Sequence, residues 1–158
     1  MTTMEKVLGK KKMDEILRLL DSAIADEWLA FMQYKFAAVV VRGKGSKFAA
    51  DVFEEIAKEE LEHIDELGRR MIELGSTTSV INPKRLMEKT NCGFSEPSRN
   101  PQKSIKDAIS SESCAIKTYM KIAGAVKDSD PTTYNLILHI MSEEEQHESK
   151  FEAILESI

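Results

Sequence analysis

Residues 56–67 read IAKEELEHIDEL and residues 140–151 read IMSEEEQHESKF. Each stretch carries Glu-x-x-His: Glu60 with His63, and Glu144 with His147. Both lie in runs whose apolar residues recur at helical period. Positions three apart on a helix fall within about 60° of each other, so each Glu shares a face with its His. That face is otherwise apolar, with Phe53, Ile56 and Leu67 in one run and Ile137, Ile140 and Phe151 in the other. Ionisable groups in the middle of a stripe that should be buried call for a chemical reason.

A second pattern stands upstream of each. Glu27 and Tyr34 interrupt the stripe Ile16, Leu20, Ala23, Ala30, Ala37, Val41, and Glu112 and Tyr119 interrupt the stripe Ile105, Ala108, Ala115, Ile122, Val126. Seven positions return to within about 20° of the start, so each Glu-Tyr pair shares a face. The chain is a weak internal repeat, Glu-x6-Tyr followed by Glu-x-x-His, used twice.

The four stripes predict four long helices. Gly43 and Gly45 end the first, Ser46 is a candidate cap for the second, and Gly75 stops it. Asn100-Pro101 and Asp130-Pro131 supply a cap and first position for the third and fourth. Short connections make helices one and two antiparallel neighbours, and likewise three and four. Residues 76–100 join the pairs; at ~3.3 Å per extended residue they span a bundle ~40 Å long. Asn82-Pro83 followed by 84–89 predicts a short helix within this crossover. The expected fold is all-α: one four-helix domain over 1–158, with an N-terminal extension at 1–12 and a long crossover between helices two and three.

Register then brings the acids together. Glu27 lies about 15 residues before the first turn and Glu60 and His63 about 14 to 17 after it; Glu112, Glu144 and His147 repeat these offsets around the second turn. Four carboxylates in a dry core cannot all stay ionised unaided. Two divalent cations cancel their charge, and two imidazoles add neutral ligands. An oxygen-rich set with two His suits iron or manganese better than zinc or calcium. Glu143 also lies one turn from His147, but Glu144 repeats the Glu60–His63 spacing and is preferred. Glu55, Glu59, Glu62, Glu143, Glu145 and Glu148 read as a solvated face.

Composition excludes other classes. The 158 residues hold 42% hydrophobic and 31% charged side chains and only seven Gly and four Pro, a balance for a helical globular domain. The net charge of −5 does not suggest a nucleic-acid-binding body. No apolar run suits a signal peptide or a membrane span, so a cytoplasmic location is the default expectation.

With these residues the sequence resembles bacterioferritin over about 13–156. The resemblance implies a ferritin-like bundle in which Glu27 and His63 hold one iron, Glu112 and His147 the other, and Glu60 and Glu144 bridge. Tyr34 and Tyr119 would hydrogen-bond beside the ligands. The implied activity is a ferroxidase: ferrous iron oxidised by hydrogen peroxide or oxygen, with ferric oxide stored in a homo-oligomeric shell. Two irons per subunit are implied, with manganese or zinc as substitutes.

Three departures refine this expectation. Leu61 stands where bacterioferritins place a haem-ligating Met, so no haem is expected. Eleven residues follow His147, which the fourth helix consumes; without a fifth helix, a twelve-subunit Dps-type (DNA protection during starvation) shell is expected. Cys92 and Cys114 make the chain similar to the Dps-like thioferritins. Cys114, about 200° around the helix from Glu112, would point away from the irons. Cys92 lies in the crossover passing over that region. A disulfide would staple the two with ~3 kcal/mol; two unpaired buried thiols are the alternative. Lys10, Lys11 and Lys12 resemble a Dps DNA-binding tail, but Asp14, Glu15 and the net charge favour a solvated first turn. His139 reads as structural or surface, and Trp28 as packing or a subunit contact. A rubrerythrin-like di-iron peroxidase and a Dps-like DNA binder with a mainly structural metal are the alternative functions.

Overall fold

A computed structural model describes residues 2–76 and 82–158. They form α1 (Thr3–Leu8), α2 (Lys10–Val40), α3 (Ser46–Glu73), α4 (Pro83–Lys89), α5 (Pro101–Val126) and α6 (Pro131–Ser157), with no strand among the described residues. α2 packs on α3 and α5 on α6, and the two pairs meet through α2–α5 and α3–α6 contacts. The bundle is therefore the expected four-helix arrangement, two helix pairs joined by the long crossover. Among the described residues no helix is long and apolar enough to cross a membrane.

Local chemistry sets the ends. Asn100 and Asp130 accept from the backbone N–H of Lys103 and Thr133, and each is followed by Pro at the first helical position. α3 departs from expectation: its cap is Gly45, with no side-chain cap bond, and Ser46 is already helical. Gly45 sits at φ +77, and a Cβ there would collide with Ile158. The end of α6 thus packs against the α2–α3 turn, and only glycine suits both demands. The N-terminal segment is helical too. Thr2 and Glu5 form a capping box on α1, and Gly9, at φ +74, separates α1 from α2.

The crossover contains α4 at the expected 83–89, while its residues 77–81 lie outside the described residues. Two carboxylates of α2 hold it down. Asp21 pairs with Lys89 and, at 3.5 Å, with Arg85. Asp26 accepts from Thr90 Oγ1 at 2.5 Å, Asn91 N at 2.8 Å, Asn91 Nδ2 at 2.7 Å and Cys92 N at 3.0 Å.

The apolar core is split. One cluster holds Ile16, Leu20, Leu67, Tyr119, Ile122 and Ile137; the other holds Tyr34, Phe53, Ile56, Ile105, Ala108 and Phe151. In α3, α5 and α6 the break between the clusters falls at the interrupting Glu or Glu-x-x-His, and in α2 it falls just after Glu27, between Leu29 and Tyr34. A fully buried Leu or Ile contributes about 1.5–3 kcal/mol, so the two clusters can offset the cost of the polar layer between them. Arg70 of α3 adds a buried clamp on α6, with Nη2 at 2.9 Å from Asp130 and Nε donating to Thr133 at 2.8 Å.

Candidate metal centre

Glu27, Glu60, His63, Glu112, Glu144 and His147 come from four helices and are all at most 2% exposed. They form two groups: Glu27, Glu60, His63 and Glu144, and Glu60, Glu112, Glu144 and His147. Within each group, one ligand atom per residue lies within 4.8 Å of the others. Glu60 and Glu144 belong to both, so they stand between the two positions. Each imidazole turns Nδ1 inward. His63 Nδ1 lies 2.9 Å from Glu144, 3.2 Å from Glu60 and 3.5 Å from Glu27. His147 Nδ1 lies 3.4 Å from Glu60 and Glu144 and 3.8 Å from Glu112. The rings stack 5.8 Å apart.

Such a cluster is unhappy as protein alone. Glu60 Oε1, Glu144 Oε1 and His147 Nδ1 are buried without a hydrogen-bond partner. An orphaned buried polar atom costs about 1–3 kcal/mol; three that converge suit a place where a cation could bind. Burial, followed by the charges of Glu27 and Glu112, pushes the Glu60 carboxyl up to about 8. Burial, followed by the charge of Glu144, raises Glu112 well above its usual range. Burial also opposes ionisation of Glu27, but hydrogen bonds with Glu60, His63 and Tyr119 outweigh it and hold the group low. Both imidazoles are raised: burial opposes their charge, and the surrounding carboxylates overcome it. Divalent cations would take the place of these protons and satisfy the orphaned atoms, so the residues fit a two-metal centre.

The tyrosines cross over. Tyr119 donates to Glu27 and Tyr34 to Glu112, each serving the glutamate of the other repeat. Burial, then the neighbouring carboxylates, raise both phenols well above their normal range, so they remain donors.

Two acids depart from the solvated-face expectation. Glu143 Oε2 lies 2.8 Å from His63 Nε2, and Glu59 Oε2 lies 2.6 Å from His147 Nε2. Both cross between α3 and α6, and their side chains are only about a third exposed (33% and 31%). The reason is helical geometry: the residue before each inner Glu lies 100° away, which in a close antiparallel pair faces the partner's imidazole. Glu143 therefore serves His63, and Glu144 fills the inner position. Glu55 matches expectation, being exposed and paired with Lys150 at 2.9 Å. Asp26 carries no sequence signal, because its partners are two backbone N–H groups of the crossover, of Asn91 and Cys92, and the side chains of Thr90 and Asn91.

The remaining candidates sit off the cluster. Cys92 and Cys114 form a disulfide with Cα atoms 5.8 Å apart. Cys92 lines a narrow cavity of about 20 Å³ together with Glu27, Glu112 and Glu144, whereas Cys114 faces a separate surface pocket. Lys12 donates to the Ala125 carbonyl at 2.7 Å and pairs with Glu15 at 3.2 Å, so it caps the end of α5 instead of standing free. His139 is half-exposed, 3.7 Å from Glu66 and Glu143. Trp28 packs edge-on against Phe31 and beside the first core cluster. Leu61 is 39% exposed on α3.

Known proteins agree with this reading of the fold. A dodecameric thioferritin, the bacterioferritin-related protein of Bacteroides fragilis, is 32% identical and superposes with a TM-score of 0.90 over 98% of this chain and 90% of its own. The DNA protection during starvation protein of Pyrococcus furiosus is 26% identical over 147 residues, 90% of this chain and 77% of the relative. A Dps protein of Vibrio cholerae, described as a member of the ferritin-like diiron-carboxylate superfamily, shares the fold with a TM-score of 0.86 at 18% identity, over 92% and 91% of the two chains. The model of the ferritin-like domain matches residues 17–158, the stretch that carries both repeats and all six converging side chains, and the chain belongs to that family.

Proposed function

We propose that this chain is an iron-oxidising, iron-storing mini-ferritin that uses a di-iron ferroxidase centre within each subunit. The observation that carries the reading is the pair of overlapping ligand groups sharing Glu60 and Glu144. In this reading Glu27 and His63 hold one iron, Glu112 and His147 the other, and Glu60 and Glu144 bridge them. When bound, the irons supply the electrons: two ferrous ions, one hydrogen peroxide and two protons give two ferric ions and two waters. Oxygen is the alternative acceptor, and manganese or zinc can take the same ligands.

The protein's own part is positioning. Glu59 and Glu143 accept from the outer imidazole nitrogens and keep each Nδ1 turned inward. Tyr34 and Tyr119 fix the terminal carboxylates Glu112 and Glu27. The apolar clusters on either side exclude water. Consumption of peroxide together with ferrous iron would protect a cell against oxidative damage. The thioferritin relative is dodecameric, and a twelve-subunit shell is the assembly proposed here. Lys12, held by Ala125 and Glu15, weakens the case for DNA binding.

Stopped-flow oxidation tests the activity. Ferrous iron mixed with the protein and peroxide should be oxidised in a fast phase with an amplitude of two irons per chain, absent in Glu60→Ala. A wild-type rate equal to that of free iron would overturn the reading. Native mass measurement tests the shell.

A further inference from the structure

The disulfide stands between two different cavities. On its inner side Cys92 meets the acids of the buried cluster. On its outer side Cys114 lines a surface pocket of about 500 Å³ with Arg18, Lys117, Lys121 and Thr118. Glu15 on the rim of that pocket is paired with Lys12, and among the described residues no carboxylate pairs with Arg18, Lys117 or Lys121. Arg18, Lys117 and Lys121 draw a low-molecular-weight anion to the outer sulfur.

We propose that this pocket is a thiol–disulfide exchange site for a small anionic thiol, with Cys114 as the sulfur attacked. The incoming thiolate forms a new S–S bond to Cys114 Sγ, and Cys92 leaves with the electron pair as a thiolate. Thr118 Oγ1 lies 3.9 Å from Cys92 Sγ and can donate to it as charge develops. A second thiolate then attacks the sulfur of the bound thiol, releasing the Cys114 thiolate and the disulfide of the reductant. The result is a reduced pair, with the Cys92 thiol on the wall of the acid cavity. It also severs the covalent tie between the crossover and α5, leaving Asp21 and Asp26 to hold the crossover on α2. The proposal concerns the sulfurs and stands whether or not the acids hold a metal.

Metal-free protein supplies the test. It is treated with mercaptosuccinate (anionic) or cysteamine (cationic), quenched with iodoacetamide and mapped by peptide mass spectrometry. We expect the mercaptosuccinyl adduct on Cys114 and alkylation on Cys92. Per thiolate, mercaptosuccinate should react about tenfold faster than cysteamine. Lys117→Gln with Lys121→Gln should remove most of that preference, and added salt should shrink it in the unaltered protein. An adduct on Cys92, an unreactive disulfide, or a preference below about threefold that salt does not change would overturn the proposal.

Discussion

Glu59 Oε2 lies 2.6 Å from Nε2 of His147, on a different helix, and fixes which nitrogen of that imidazole faces the buried acids. Its partner across the pseudo-repeat is Glu143 with His63 at 2.8 Å. Glu59→Ala should weaken binding at the His147 position by about 10–100-fold, while leaving the His63 position nearly unchanged. Competition titration with a chelator checks this. Equal loss at both positions, or at neither, would count against a positioning role.

Glu60 links binding to pH. Its carboxyl is pushed up to about 8 in the metal-free protein, so at pH 7 it is mostly protonated. A cation needs the carboxylate, so uptake must expel that proton, and the raised imidazoles add theirs. Apparent affinity should therefore climb as pH rises towards about 8. Zinc, which does not change oxidation state, can be added to weakly buffered protein with a pH indicator. We expect release of at least one proton per chain at pH 7; none would contradict the assignment.

Tyr119 donates to Glu27, 92 positions away in sequence. Tyr119→Phe keeps the ring in the core but strips Glu27 of a donor, at a cost of about 1–3 kcal/mol for an ion left short of a partner. The variant should fold, lose affinity mainly at the Glu27–His63 position, and oxidise iron more slowly. Wild-type rates and affinity would show the bond to be incidental.

Asp130 is a stability test away from the centre. It caps α6 and pairs with Arg70, and both are buried. Burial works against its charge, but Thr133 and Arg70 outweigh it and hold the pKa below 3.8. Its stabilisation is thus full above that value and lost as pH falls through the folded pKa. Asp130→Ala should cost about 2–3 kcal/mol, since it removes the α6 cap and the carboxylate at Arg70 Nη2 while Glu73 still pairs with Nη1 at 2.9 Å. Denaturant unfolding at pH 7 measures it, and the gap from wild type should narrow below pH 4.

Much of this architecture is legible in the chain because a polar group on an apolar stripe is conspicuous. Glu27, Glu60, Glu112 and Glu144 stand out at helical period, and Asn100-Pro101 and Asp130-Pro131 mark the starts of α5 and α6. Other features depend on tertiary placement. Glu59 and Glu143 sit in acidic runs where Glu55, Glu62 and Glu145 do face solvent, and only the α3–α6 packing singles them out. Asp26 follows no periodic rule, since it binds a loop. Gly45 takes the cap position because the end of α6 occupies the space a side chain would need.

The central claim is that two cations share Glu60 and Glu144. Anaerobic titration with ferrous iron, followed by separation and metal analysis, reads it directly. The account predicts two tightly held irons per chain, with both lost in Glu60→Ala and one retained in Glu27→Ala. A stoichiometry of zero or one in the unaltered protein, or two irons still bound without Glu60, would contradict it.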